Sequence, residues 1–299
     1  MSASELSIDD LGPYLEKEVD GFRGLRTIDK FAGGQSNPTY LLTASSGQYV
    51  LRRKPFGELL KSAHAVEREY RVMQALEDTA VPVPRMLHLC EDPDVIGAVF
   101  FVMSFVKARH FWDPALPELD DADRTAIFDE MNRVLAALHS VDVEMIGLAD
   151  FGYPGNYFER QISRWSKQYR ASETKVIAAM DELLDWELST LGHPFADLAY
   201  QCMQLRMPQD CVIRGLGGVD RAPLGIPSEA AFVADYCGRS GLDEIPNWTF
   251  YLVFSFFRFA AILQGVLKRA IDGNASSDQA FAYGALTAPL AEMAIEELQ

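Results

Sequence analysis

Two short stretches hold residue types suited to a phosphorylated ligand. Ala32-Gly33-Gly34-Gln35-Ser36-Asn37 lies between two segments that read as strands. A glycine pair lets backbone come close to a phosphate, and Ser36 and Asn37 add donors. The same string would also serve as an ordinary hairpin turn. The second stretch runs from Leu184-Asp185-Trp186-Glu187 to Asp197-Leu198-Ala199-Tyr200. Asp185 closes an apolar run and precedes a loop containing Gly192 and Pro194. That arrangement suits a Mg²⁺ ligand facing nucleotide phosphates, because Mg²⁺ favours one or two carboxylates plus phosphate oxygens. Taken alone, Asp185 would equally be a helix cap.

Other chemistries find less support. None of the five histidines shows metal-ligand spacing with Cys or Glu. His64 and His139 fall at helix ends, where capping or exposure is the default, and His193 reads as a surface-loop residue. No GxSxG nucleophile elbow occurs. The four cysteines are scattered without a CxxC pair, so a reduced, cytoplasmic chain is expected.

These residues need a scaffold. The chain has 299 residues, 48% of them apolar, enough for one large or two medium domains with a sizeable core. Its net charge is −16, so nucleic acid and anionic membrane surfaces should repel it. The polar, acidic start reads as no signal peptide. The most apolar stretch, Phe250–Leu267, contains Arg258 and is expected to be a buried core helix rather than a membrane span. Its Phe-rich part could border a substrate channel, but core packing is the simpler expectation.

Along the chain, residues 1–20 suggest a short helix. Arg26–Phe31, Thr39–Thr43 and Gln48–Arg53 read as strands, and 62–77 as a helix with Ser62 as N-cap. Met86–Leu89 and Ala98–Phe105 complete the strands. Helices are then expected over Asp120–Ser140, Phe158–Asp181, Pro227–Ser240 and Asn247–Ile271. The chain is thus β-rich first and helix-rich later, an α+β arrangement of residues 1–105 and 106–299.

In a kinase-like fold, a strand cation paired to a helix carboxylate orients the α- and β-phosphates of ATP. Arg52 in YVLRRKP and Glu69 in the following helix could fill those positions, with Arg53, Lys54, Glu67 and Arg68 as neighbouring competitors, and a surface ion pair or solvated charges would read the same. Phe100–Val106 would connect the two parts and offer backbone to adenine through Met103, Ser104 and Val106, although a plain core strand has the same composition.

The segments FAGGQSNPTYLL, YVLRRKP, SAHAVEREYRV, GNYFERQISRWSKQY, DWELSTLGHPFADLAY and FYLVFSFFRFAAILQGVLKRA occur in this order. Together they resemble the aminoglycoside phosphotransferase and choline kinase-like superfamily, in the branch similar to the kinase-like domain fused to some acyl-CoA dehydrogenases. The resemblance implies a bilobal protein kinase-like fold and an ATP- and Mg²⁺-dependent transfer of the γ-phosphoryl group to a small-molecule hydroxyl. A hydroxyacyl-CoA-like acceptor fits that branch. It also implies that Asp185 binds the metal and that Asp197 is a buried carboxylate bracing the catalytic loop.

One family feature is missing. The resemblance calls for an HGD-type loop carrying the catalytic Asp before the DWE segment, and no His-Gly-Asp occurs. Roughly 35–40 residues of the family pattern have no counterpart between about residues 179 and 185. Asp150-Phe151-Gly152 spells DFG, but kinase spacing from Asp142 would require Asn at 147, which is Gly147. HSVD is therefore expected to be a helix end and ADFG a loop. The catalytic base stays unassigned, and a non-catalytic nucleotide-binding module is the alternative to an active enzyme.

Overall fold

The computed structural model describes residues 6–31, 37–55, 65–152, 155–184, 194–273 and 279–299. Two compact units emerge: residues 1–109 with 141–151, and residues 110–140 with 152–299.

The first unit is built on strand alternation. β1 (Leu25–Lys30), β2 (Thr39–Ala44), β3 (Gly47–Arg53), β4 (Met86–Cys90) and β5 (Phe100–Ser104) form one antiparallel sheet in the order β1-β2-β3-β5-β4. Successive side chains on a strand point to opposite faces. Tyr40, Leu42, Leu51, Phe100 and Val102 therefore meet α1 (Ile8–Glu18) through Leu11 and Leu15. Phe101 and Met86 turn the other way and meet α2 (Val66–Leu76) through Val66. Both faces of the central strands are covered, which explains why Val50 and Leu51 are both buried.

The α2 helix begins later than the sequence suggests. Its N-cap position is Ala65, which makes no side-chain cap; Ser62 lies outside the described residues. Glu67 and Glu69 in the first turn offset the helix dipole instead. The segment Val141–Phe151 belongs to this unit because α2 grips it. Arg71 donates to the Gly147 carbonyl at 2.8 Å and pairs with Asp150, and Arg68 donates to the Phe151 carbonyl at 2.6 Å. The DFG string is thus a loop held by a helix.

The second unit is helical. It contains α3 (Asp121–His139), α4 (Tyr157–Ser172), α5 (Ala178–Leu184), α6 (Phe195–Arg206), α7 (Glu229–Ser240), α8 (Trp248–Ile271), α9 (Ala280–Gly284) and α10 (Thr287–Glu296). Asp120 caps α3 by accepting from the Asp123 amide, and Ser228 caps α7 through the Ala231 amide. The single helix expected over Phe158–Asp181 is broken after Ser172. Gln264 of α8, fully buried, donates to the Ser172 carbonyl at 2.7 Å and to Thr174 Oγ1 at 3.0 Å, ending α4 there.

The organising element is α8. It is long and apolar enough to cross a membrane, yet 67% of that stretch is buried against its own unit. Phe250, Tyr251 and Phe254 pack with Phe158 of α4 and Phe195 of α6. Phe256, Phe257 and Ala260 pack with Trp165, Tyr169 and Leu290. The Phe-rich run is therefore core. Gly284 permits the α9–α8 approach, since a Cβ there would sit 2.5 Å from Leu267.

Candidate functional site

In the first unit, the end of β3 and the residue after it present three consecutive cations, and they turn to alternate faces. Arg53 points to the α1 face. It is buried, donates to Tyr40 Oη at 3.1 Å and to the Lys54 carbonyl at 2.8 Å, and lies 5.7 Å from the Tyr40 ring centre. Arg52 and Lys54 point to the α2 face. There Arg52 Nε is 2.7 Å from Glu69 Oε2, and its Nη2 donates to Oε1 at 3.4 Å. Lys54 Nζ pairs with Glu67 at 2.8 Å. Of the competitors for the strand–helix pair, Arg53 and Arg68 are engaged elsewhere, whereas Lys54–Glu67 forms a second, parallel pair.

Asn37 joins the first pair. It is 3% exposed, and its amide Nδ2 donates to Glu69 Oε1 at 2.8 Å. Glu69 thus accepts from the end of the glycine-containing segment and from the strand arginine together. The Arg52 and Glu69 side chains stay about one-third exposed, at 33% and 36%. A guanidinium oriented by a carboxylate at a partly open position can turn its remaining donors toward an anion. Gly33, Gly34 and Ser36 lie outside the described residues.

The connector residues divide at the end of β5. Met103 packs its side chain with Val66, Met86 and Phe101. The Ser104 amide donates to the Arg85 carbonyl at 2.9 Å, and its hydroxyl accepts from the Arg85 amide at 2.9 Å. Val106 lies past the strand and is 58% exposed.

The metal candidate Asp185 and His193 fall outside the described residues. Among the described residues no group of three or more His, Cys, Asp or Glu could hold a metal ion. Asp197 differs from expectation: its side chain is 59% exposed, in the first turn of α6, not buried. A first-turn carboxylate suits the helix dipole while facing water. His139 differs as well. Its side chain is 9% exposed, with Nδ1 2.8 Å from Tyr236 Oη and Nε2 3.6 Å from Asp197 Oδ2. Burial pushes the Tyr236 hydroxyl above its usual range, and a hydrogen bond with Ser240 opposes that. His139 does close α3, as the sequence suggests, but its side chain is mostly buried rather than exposed; it lies one turn after Ala136 and two turns after Asn132, both buried.

Residues 27–184 match the family described as phosphotransferase enzyme family. The mouse protein acyl-CoA dehydrogenase family member 10 is 43% identical over 94% of the chain, which spans 30% of that relative. The chain spans less than half the length of the curated relatives it matches. The alignment to the mouse protein extends over 324 residues, longer than the chain itself, so the relative carries residues without counterpart here. A crystal structure from Ralstonia eutropha, described as an aminoglycoside phosphotransferase, is 44% identical, with TM-score 0.87 and 98% of each chain covered. Choline kinase from Cryptosporidium parvum shares the fold at 10% identity, with TM-score 0.59 over 98% of this chain and 95% of that one. The five-stranded antiparallel sheet, the helical second unit and these matches agree: the chain has the kinase-like α+β fold and belongs to the phosphotransferase enzyme family.

Proposed function

We propose that this chain uses ATP to phosphorylate a hydroxyl of a small molecule, with a hydroxyacyl-CoA-like thioester as acceptor, in a reducing, cytoplasmic setting. The observation that carries this reading is the Arg52–Glu69–Asn37 cluster. It supplies a braced cation beside the glycine-containing segment, in a chain whose family transfers phosphoryl groups. Phosphoryl transfer depends on positioning and charge stabilisation more than on covalent chemistry by the protein.

Arg52, fixed by Glu69, would hold the α- and β-phosphates. Gly33, Gly34, Ser36 and Asn37 would cover the phosphate tail. Met103, Ser104 and Val106 would border adenine; since the Ser104 amide is engaged with Arg85, free backbone groups past the strand, around Val106, would do the bonding. Mg²⁺, when bound, neutralises charge on the phosphates, and Asp185 would be its carboxylate ligand. One carboxylate with phosphate oxygens suffices for Mg²⁺, so a dedicated cluster of protein ligands is not required. The acceptor class is suggested by the acyl-CoA dehydrogenase names of the relatives, which are longer than this chain.

One observation favours a second reading, a nucleotide-binding module without phosphoryl transfer. No His-Gly-Asp occurs, and the family match ends at residue 184, where the sequence departs from the family pattern. The two readings separate on ATP consumption measured against a panel of hydroxyacyl-CoAs. Turnover in the wild type that disappears in Asp185→Ala supports transfer. Turnover that survives in Asp185→Ala removes Asp185 from the chemistry, and nucleotide binding without turnover selects the module.

A further inference from the structure

The α4 helix carries an unusual charge arrangement for so acidic a chain. Arg160, Arg164 and Lys167 follow one another at spacings of four and three residues, so three like charges stack on one face. Such stacking weakens a helix, and Arg160 also sits in the first turn, where the dipole disfavours a cation. No carboxylate stands three or four residues from Arg164 or Lys167 to relieve that stress. Positions three and four residues either side of Lys167 are Ser163, Arg164, Arg170 and Ala171. Among the described residues neither Arg164 nor Lys167 has a carboxylate in ion-pair range.

This face is the wall of a cavity of about 1060 Å³. Among the described residues, Asn156, Arg160, Ser163, Arg164, Lys167 and Gln168 line it, together with Glu159. The volume is at the upper end for a small-molecule site. The opposite face of α4 is anchored by Phe158, Trp165 and Tyr169 in the core, so the basic face is held rigidly.

A fourth cation stands behind the wall. Arg258 interrupts the apolar run of α8, with its guanidinium 5.9 Å from the Trp165 ring centre and 5.2 Å from that of Tyr200. Its Nε is buried without a hydrogen-bond partner, and no described carboxylate pairs with it. Arg164 shares the same indole, 5.4 Å from the ring centre. Burial raises the Tyr200 hydroxyl above its usual range while the Arg258 charge opposes that shift. Two arginines share one tryptophan, and among the described residues neither has a carboxylate partner, so an added anion would find both charges uncompensated.

We infer that Arg164 and Lys167, backed by Arg258 and Trp165, form an anion site in the second unit that takes the phosphate groups of a coenzyme A thioester. The inference deepens the proposed acceptor class and rests on it. Arginine binds phosphate through paired donors and lysine as a point charge, so the two types together suit a ligand with several phosphates. The surrounding −16 chain disfavours anions elsewhere, which adds selectivity for this face.

The test is calorimetric titration of free coenzyme A into the full chain, with no nucleotide and no acyl group present. Dephospho-coenzyme A, pantetheine and pyrophosphate are titrated in parallel. Arg164→Gln and Lys167→Gln are combined in one variant, both being solvent-facing positions, and its melting curve is recorded as a folding control. The expected result is binding of coenzyme A that weakens at least tenfold in the variant, with pantetheine weakest of the four probes on the wild type. Binding of Mg·ATP should be equal in both proteins. Coenzyme A that fails to bind, binds the variant equally well, or is matched by pyrophosphate alone overturns the inference. If Mg·ATP fails to bind while coenzyme A behaves as expected, the nucleotide reading falls and the anion site stands.

Discussion

Arg52 and Glu69 meet as an ion pair with Nε 2.7 Å from Oε2, joining the third strand to the first turn of α2. Glu69→Gln keeps the shape and removes the charge that orients the guanidinium. Affinity for Mg·ATP should fall about tenfold, or about 1.4 kcal/mol. Fluorescence titration with a nucleotide analogue reads this out, and an unchanged affinity would separate Glu69 from phosphate binding.

Asn37 gives a second handle on the same carboxylate. Asn37→Asp places a like charge 2.8 Å from where its amide now donates, in a residue only 3% exposed. The unfolding free energy should fall by about 2 kcal/mol, and nucleotide affinity should fall with it. Urea denaturation with and without Mg·ATP measures both effects.

Arg53 is the internal control. It faces α1 and bonds to Tyr40, away from Glu69. Arg53→Ala should cost about 1–2 kcal/mol of stability through the lost hydrogen bonds and ring contact, and leave nucleotide affinity intact. A loss of affinity without a loss of stability would show that the strand faces were read in the wrong register.

The second unit depends on a different network. Arg206 of α6 pairs with Glu229 of α7 at 2.5 Å and also with Glu297, while Trp248 donates to Glu229 at 2.9 Å. Burial works to raise the Glu229 carboxyl, but the Arg206 and Trp248 bonds hold it below the usual carboxylate range. Arg206→Met should therefore cost about 2 kcal/mol, most of it from stranding Glu229. Thermal melts of the single and double variants, with Glu229→Gln as partner, should show the loss largely relieved in the pair.

His88 gives a pH signature. Burial lowers its pKa below the usual value of 6.5, opposed by the Glu18 charge, and its Nε2 is 2.9 Å from Tyr14 Oη. The unfolded chain then binds a proton more readily than the folded one. Stability contributed at neutral pH is lost as pH falls below about 6.5. Denaturation from pH 8 to pH 5 should show a slope that His88→Gln reduces.

The strands and the later helices were legible because strand alternation and 3.6-residue periodicity are local signals. The Arg52–Glu69 pair was legible only as one choice within each cluster, with Arg53 and Lys54 beside the arginine and Glu67 beside the glutamate. What separated Arg52 from Arg53 was which face of β3 meets α2, and that depends on pairing with β2 and β5. The break after Ser172 was hidden because Gln264, ninety-two positions away, imposes it. Burial of Asp197 was carried over from the family resemblance, and the resemblance does not fix which side of α6 faces water in this chain. The spacing of the α4 cations, without acidic residues at three or four positions from Arg164 and Lys167, was visible in the sequence; the placement of Arg258 behind them was not.

The most direct test of the account is calorimetric titration of Mg·ATP into the wild type, Arg52→Ala and Arg53→Ala. Binding does not require a catalytic base, so it bears on the nucleotide site whichever functional reading holds. The account predicts saturable binding by the wild type, at least tenfold weaker binding by Arg52→Ala, and wild-type affinity for Arg53→Ala. Equal affinity in Arg52→Ala and the wild type, or no binding by the wild type, would contradict it.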